Sequence, residues 1–161
     1  MKEYNKHTYN AIDIARKVVA RTDIERGDSI TNLKLQKLLY YLQGFWLAEF
    51  DTPLFDEPIE AWAYGPVVPS VYDAYKSYGK KAIEVNQSEE PVRLASDKEE
   101  AFFDEVYSLY NQYSASALVR MTHNEMPWAS SKSHGFGEEI SREKMRDFFR
   151  KELLWELDKI R

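Results

Sequence analysis

His123 and Glu125 stand close together in the chain, and a histidine beside a carboxylate is the pair from which acid–base catalysis or half of a metal site is built. The other histidines are His7 and His134, and no His-Glu-x-x-His motif is present. An adequate set of metal ligands is therefore not evident, and a lone histidine with a carboxylate more often caps or packs than reacts. We expect no catalytic residue, no metal and no cofactor, so the chain is not expected to be an enzyme.

Gln36, Tyr40 and Gln43 are the second group of candidate residues. They fall at positions i, i+4 and i+7 and so share one side of a helix predicted over 31–50. The rest of that helix is apolar almost all round, which is typical of a helix in the protein interior. Two interpretations stay open: the polar side chains bond neighbouring backbone and fix the packing, or they line a polar groove for a ligand or a partner chain.

Glu60, Trp62 and Tyr64 form the third group, because they alternate along one face of a short strand predicted over 59–64. In one interpretation Trp62 is buried and Glu60 bonds Gln36, Lys37 or a tyrosine, since aromatic residues usually belong to the core. In the other interpretation this strand face is a contact surface. The following Gly65-Pro66 is predicted to turn the chain and lacks the glycine spacing and the lysine of a phosphate-binding loop.

These residues must be positioned by helices, whose starts are marked by capping residues and whose faces are marked by apolar periodicity. The predicted helices cover 8–20, 31–50, 69–79, a segment that starts at the capping box 96–99, 114–122, and a segment from 141 nearly to the end of the chain. Short strands are also predicted over 81–85, which would pair with 59–64, and over 91–94, and a loop is predicted over 129–139. The expected fold is mainly α: one compact domain over 1–161 with about six helices around the buried central helix 31–50, and at most a minor two-stranded β element.

Two helix faces are predicted in detail. On the first helix, Lys17 is expected on the polar face with Asp13 and Arg16. On the last helix, Leu154 is expected to point away from the core. The predicted buried face of the last helix consists of Met145, Phe148, Phe149, Leu153, Leu157 and Ile160, widened by Trp155.

Composition restricts the class of protein. A chain of 161 residues that is 43% hydrophobic is long enough for one well-formed core and too short to suggest two domains. Because there is no cysteine, disulfides and thiolate chemistry are excluded. No apolar run approaches the roughly 20 residues of a membrane span, so we expect no membrane partner and a cytoplasmic location. The net charge of −5 and the interleaved basic residues disfavour nucleic acid as the main partner.

Several motifs of this chain resemble those of a known family. They lie at 33–41 (LKLQKLLYY), 53–55 (PLF), 60–62 (EAW), 64–69 (YGPVVP) and 122–128 (THNEMPW). Together these strings resemble the Panacea-domain antitoxins, which include SocA-like and GepA-like proteins. The resemblance implies a mostly helical domain that neutralises a cognate toxin, generally encoded by the adjacent gene, through direct binding. It also implies one alternative, an adaptor that delivers the toxin to a bacterial protease. A DNA-binding autorepressor stays open as a second alternative, which the resemblance does not imply.

The residues expected to contact the partner follow from these motifs and from the rule that interface energy is concentrated in a few aromatic and charged side chains. The motif positions are Gln36, Lys37, Tyr40, Glu60, Trp62, Tyr64, His123 and Glu125. Four further residues, Tyr107, Tyr110, Leu154 and Trp155, are expected as exposed anchors. An autorepressor would need a basic recognition helix, whereas the helix over 142–161 alternates its basic residues with acidic ones.

Overall fold

The computed structural model describes residues 8–86, 88–132 and 137–160, and most of them lie in helices, as predicted. The helices are α1 (Ala11–Ala20), α2 (Asn32–Phe50), α3 (Pro69–Tyr75), α4 (Asp97–Asn111), α5 (Ala115–His123), α6 (Met126–Lys132), α7 (Arg142–Phe148) and α8 (Leu154–Asp158). Short 3-10 turns over Ile24–Arg26 and Lys76–Tyr78 follow α1 and α3. The capping predictions are confirmed, because the side chains of Thr31, Ser96, Ser114 and Ser141 each accept a backbone N–H of the helix they precede.

Helix α2 is the buried centre of the fold. Every residue from Lys34 to Ala48 is buried, so the prediction of a central helix is confirmed. Helices α1, α3, α4, α5, α7 and α8 all contact it. Because α2 is surrounded on all sides, its sequence shows no single apolar stripe.

The last predicted helix is interrupted by a π-helical turn, Phe149–Leu153, between α7 and α8. Met145, Phe149 and Leu157 are buried as predicted, whereas Phe148 and Leu153 are only partly buried. The predictions for the end of the helix are wrong: Ile160 and Trp155 are exposed, and Leu154 packs against the core instead of pointing away. A π turn holds an extra residue, so the side chains after it are rotated relative to a regular helix.

A small antiparallel sheet consists of β1 (Glu60–Trp62), β2 (Gly65–Val67) and β3 (Glu138–Glu139), in the order β2-β1-β3. The prediction of a strand within 59–64 is confirmed. The predicted turn at Gly65-Pro66 is wrong, because Ala63 and Tyr64 form the hairpin turn and Gly65 already pairs with Trp62.

The remaining errors lie in segments without a strong local signal. The strands predicted over 81–85 and 91–94 are wrong, because neither segment forms a strand. Ala82 makes only an isolated bridge to Thr31, at the start of α2, instead of pairing with β1. The loop predicted over 129–139 contains the end of α6 and the strand β3. Lys17, predicted on a polar face, is buried because its ammonium bonds the Val92 carbonyl (2.9 Å) and pairs with Glu100 (3.0 Å).

Candidate partner-binding surface

Glu125 is a buried carboxyl group in the connection between α5 and α6. The hydroxyls of Tyr40 and Tyr41 donate to its two oxygens, at 3.0 and 2.8 Å. Burial raises the pKa of Glu125 to about 7, although the two tyrosine hydrogen bonds act in the opposite direction. Burial and the nearby carboxyl in turn raise the pKa of both tyrosines. Because its bonding partners are core side chains of α2, Glu125 fixes the α5–α6 connection on the central helix.

Lys37 and Gln36 hold the outer edge of β2. The Lys37 ammonium, whose side chain has no solvent exposure, donates to the Pro66 carbonyl at 3.0 Å. Burial lowers the pKa of Lys37 to about 7. The Gln36 side-chain oxygen accepts the Val68 N–H at 2.9 Å, and its nitrogen donates to Asn32 at 2.9 Å. Both polar side chains therefore fix a backbone segment.

Gly65 is required where β2 crosses these residues. Its φ of +106° lies in a region that residues with a side chain rarely adopt. A Cβ there would lie 2.6 Å from Cε of Lys37 and 2.8 Å from the Thr122 hydroxyl. The glycine therefore allows the hairpin to approach α2 and α5 closely.

Gln43 completes the polar row of α2. Its oxygen accepts the Leu54 N–H at 2.7 Å, and its nitrogen donates to the Phe55 carbonyl at 2.8 Å. Gln36 and Gln43 thus bond backbone, and Tyr40 bonds Glu125. Of the two interpretations of this row, the one in which the polar side chains fix the packing is confirmed.

His123 belongs to a different set of contacts from Glu125. Its ring stacks on Trp128 with the centroids 4.0 Å apart, and it hydrogen-bonds the backbone of Ala63. Burial lowers the pKa of His123, and the nearby Lys37 and Lys132 lower it further. The Trp128 indole donates to the Trp62 carbonyl at 2.9 Å. The two residues thus have separate partners, and His123 helps to hold the hairpin.

Trp62 forms one wall of an open groove. Its indole nitrogen donates to Glu60 at 3.0 Å, so the expectation that Glu60 bonds Gln36, Lys37 or a tyrosine is wrong. The Trp62 ring is half-buried and meets the Tyr72 ring edge to face, with the centroids 4.9 Å apart. Tyr64, at the hairpin turn, is 72% exposed.

We call the space beside the turn the hairpin groove, with a volume of about 580 Å³. It is lined by Asn32, Leu33, Gln36, Trp62, Ala63, Tyr64, Val67, Tyr72, Lys76, Gly79 and Lys80. Sequence reasoning missed Leu33, Tyr72, Lys76 and Lys80 as site residues. The available signals were that Leu33 lies in the motif over 33–41, that Tyr72 follows the motif over 64–69, and that Lys80 begins a basic pair.

The four expected exposed anchors have mixed outcomes. Tyr107 and Tyr110 are buried, so the expectation that they are exposed is wrong. They face the core because α4 packs against α2, where Tyr110 stacks on Tyr41 with the centroids 3.9 Å apart. Leu154 is half-buried and Trp155 is 48% exposed. Both lie on α8, outside the hairpin groove.

In the parts of the chain that the structure describes, no three His, Asp or Glu side chains are grouped so that they could hold a metal ion. His7 and His134 lie outside those parts. None of the helices described there combines the length and the apolar character needed to cross a bilayer.

Comparison with known proteins gives one family match. Residues 35–129 match the family model described as "Antitoxin SocA-like, Panacea domain". The chain is 46% identical over 54 residues to Antitoxin SocA of Caulobacter vibrioides (strain NA1000 / CB15N). That similarity covers 34% of this chain and 29% of the relative. No solved structure matches the chain. The matched residues contain β1, β2, α5 and most of α2, whereas α7 and α8 lie beyond them.

Proposed function

This chain belongs to the SocA-like antitoxin family with a Panacea domain, and from that membership we propose that it neutralises a cognate toxin by direct protein binding. The proposal places this binding in the cytoplasm and includes no cofactor. It also includes no chemical step, because the buried Lys37 and Glu125 bond core and backbone partners instead of opening into the groove.

The observation that carries this proposal is the exposed aromatic turn beside an apolar groove. Tyr64 is 72% exposed although it lies within a family motif, and Trp62 and Tyr72 form the groove wall next to it. Exposed aromatic residues at an apolar concavity are typical of protein–protein contact sites, where a few such residues supply most of the binding energy. We therefore assign the toxin contact to the hairpin groove.

The buried motif residues have a positioning role in this proposal. Gln36 and Lys37 fix β2 from the side of α2, and Glu60 orients the Trp62 indole. Tyr40 and Glu125 fix the α5–α6 connection. His123 supports the hairpin through its contact with Trp128, which bonds the Trp62 carbonyl. A rigid support of this kind lowers the conformational cost of binding.

The test is to express the gene adjacent to this one alone and together with it, and to measure growth and co-purification. We expect the neighbouring product to be toxic alone, and to be both harmless and co-purified when this protein is present. A harmless neighbour, or toxicity that persists beside abundant folded protein, would refute the antitoxin proposal for this pair. Loss of the toxin itself on co-expression, prevented by deleting a cytosolic protease, would favour the adaptor alternative.

The contact is tested by Tyr64→Ala, with Tyr113→Ala as the matched control. Tyr113 is also a partly exposed tyrosine, and it lies outside the hairpin groove. We expect Tyr64→Ala to weaken co-purification and rescue while the urea midpoint of unfolding is unchanged, and Tyr113→Ala to keep both. Equal binding by the two variants would place the contact elsewhere, without affecting the proposal that the protein is an antitoxin.

A further inference from the structure

We infer that the hairpin groove recognises an apolar or aromatic side chain that lies next to a carboxylate in the partner. This inference deepens the proposed function by stating which chemistry the toxin would present to this site. Three features of the groove support it: an apolar wall, an excess of positive charge, and a strand edge that is already occupied.

The wall of the groove is apolar and has room for a large side chain. Its apolar lining includes Leu33, Trp62, Val67 and Tyr72. The only polar atom of the Trp62 ring already donates to Glu60, so the ring presents its apolar atoms. The volume of about 580 Å³ falls within the roughly 300–1,000 Å³ that is usual for ligand pockets.

The charge of the groove is opposite to that of the whole chain. Lys76 and Lys80 line it, and no acidic residue is among the described residues that do so, although the chain carries 27 acidic and 22 basic residues. Lys76 forms an exposed ion pair with Asp73 at 3.9 Å, which is a weak interaction. Within the described residues (8–86, 88–132 and 137–160), Lys80 forms no ion pair. A carboxylate is therefore the complementary group for this groove.

The outer edge of β2 leaves little backbone for a partner strand. Pro66 has no N–H, and its carbonyl accepts the Lys37 ammonium. Val67 already pairs with Glu60 of β1, and the N–H of Val68 donates to the side-chain oxygen of Gln36. Addition of a partner strand needs free backbone donors and acceptors at the sheet edge. Recognition at this groove therefore relies on side chains, so the apolar wall and the two lysines are the groups that would contact the partner.

The experiment uses the full chain and two pairs of probes. N-acetylphenylalanine presents a terminal carboxylate, and its amide is the neutral counterpart. N-acetyl-Phe-Asp-amide presents a side-chain carboxylate, and N-acetyl-Phe-Asn-amide is its neutral counterpart. Binding is followed by the backbone amide shifts of the 15N-labelled protein during titration to millimolar probe, at low salt.

We expect shifts at Leu33, Tyr64, Val67 and Lys80, and tighter binding of at least one acidic probe than of its neutral counterpart by about two- to fivefold, as for an exposed ion pair. The better acidic probe then tells whether the groove prefers a chain terminus or a side chain. Lys80→Glu should abolish this preference. Lys81→Glu, the adjacent exposed lysine outside the groove lining, should retain it.

Equal binding of acidic and neutral probes, shifts outside the groove, or no shifts at all would overturn the inference. The toxin supplies a separate readout with the same variants. If the toxin is neutralised and bound equally by wild type and Lys80→Glu, the inference fails while the antitoxin proposal stands. If the probes behave as expected but the neighbouring product is harmless, the groove chemistry stands and the antitoxin proposal fails for that pair.

Discussion

Replacing Gly44 by alanine has two opposing effects on the stability of the fold, and their sizes can be compared. Gly44 lies in the interior of α2, where alanine favours the helix by about 1 kcal/mol over glycine. In the folded protein, however, a Cβ at Gly44 would overlap the ring of Phe149. That ring is fully buried and stands 5.1 Å from the Phe45 ring and 5.4 Å from the Tyr40 ring, measured between centroids. It therefore has little space into which it can move.

The steric overlap with Phe149 should destabilise the fold by more than the helix preference of alanine stabilises it. Forcing extra atoms into a packed core costs about 1–3 kcal/mol, occasionally more. A rigid aromatic ring enclosed by other rings places this site at the upper end of that range. After subtracting the helix preference, we expect a net loss of about 2 kcal/mol in the free energy of unfolding. For a chain of this size the loss corresponds to a decrease in Tm of roughly 4–8 °C.

The measurement is urea unfolding followed by circular dichroism at constant pH. Ala101→Gly, on the exposed side of α4, is the control for the helix preference alone and should lose about 1 kcal/mol. Adding Phe149→Leu to Gly44→Ala should cost less than Phe149→Leu costs in the wild type, because the smaller side chain removes the overlap. If Gly44→Ala were as stable as the wild type, the close approach of Gly44 and Phe149 would be wrong.

Three further predictions concern the buried residues of the fold. Burial raises the pKa of Glu125 from 4.5 to about 7, so its stabilising contribution is complete below pH 4.5 and is lost as the pH rises through 7. The wild type should therefore lose about 3 kcal/mol over this interval relative to Glu125→Gln, as measured by urea midpoints at each pH. Burial lowers the pKa of Lys37 from 10.5 to about 7, so the fold should gain stability between pH 7 and 10.5. Thermal unfolding of Lys37→Met should lack this gain, and a gain of equal size in the variant would assign it to another group. Leu38→Ala should cost about 2–5 kcal/mol in urea unfolding, because Leu38 is buried in the core; an unchanged midpoint would contradict the central position of α2.

Local signals in the sequence determined much of the helical framework. The caps at Thr31, Ser96 and Ser141 each act within one helical turn, and all are present in the structure. Of the box predicted over 96–99, the structure shows the bond from the Glu99 N–H to Ser96, whereas the Glu99 carboxylate accepts from Tyr9. The central helix was predictable because a helix that is apolar all round must be surrounded by other elements. The motifs over 33–41 and 64–69 also predicted the family, which the match over 35–129 confirms.

The tertiary structure alone decided which residues form the candidate site. Leu33, Trp62, Tyr72 and Lys80 are far apart in the chain and meet only because the hairpin and α3 pack beside the start of α2. The role of Lys37 was equally open, because a lysine is buried only where another segment supplies an acceptor, here the Pro66 carbonyl.

The same reason applies to Gly44 and Tyr110. Glycine is unfavourable inside a helix, and only the position of Phe149, in the π-helical turn after α7, makes Gly44 a packing requirement. Tyr110 is of a residue type that is common among exposed anchors, and only the packing of α4 on α2 places it against Tyr41. Caps and periodicity act over a few residues and can be read along the chain. Burial and hydrogen-bond partners depend on segments that only folding brings together, so they were settled by the tertiary structure.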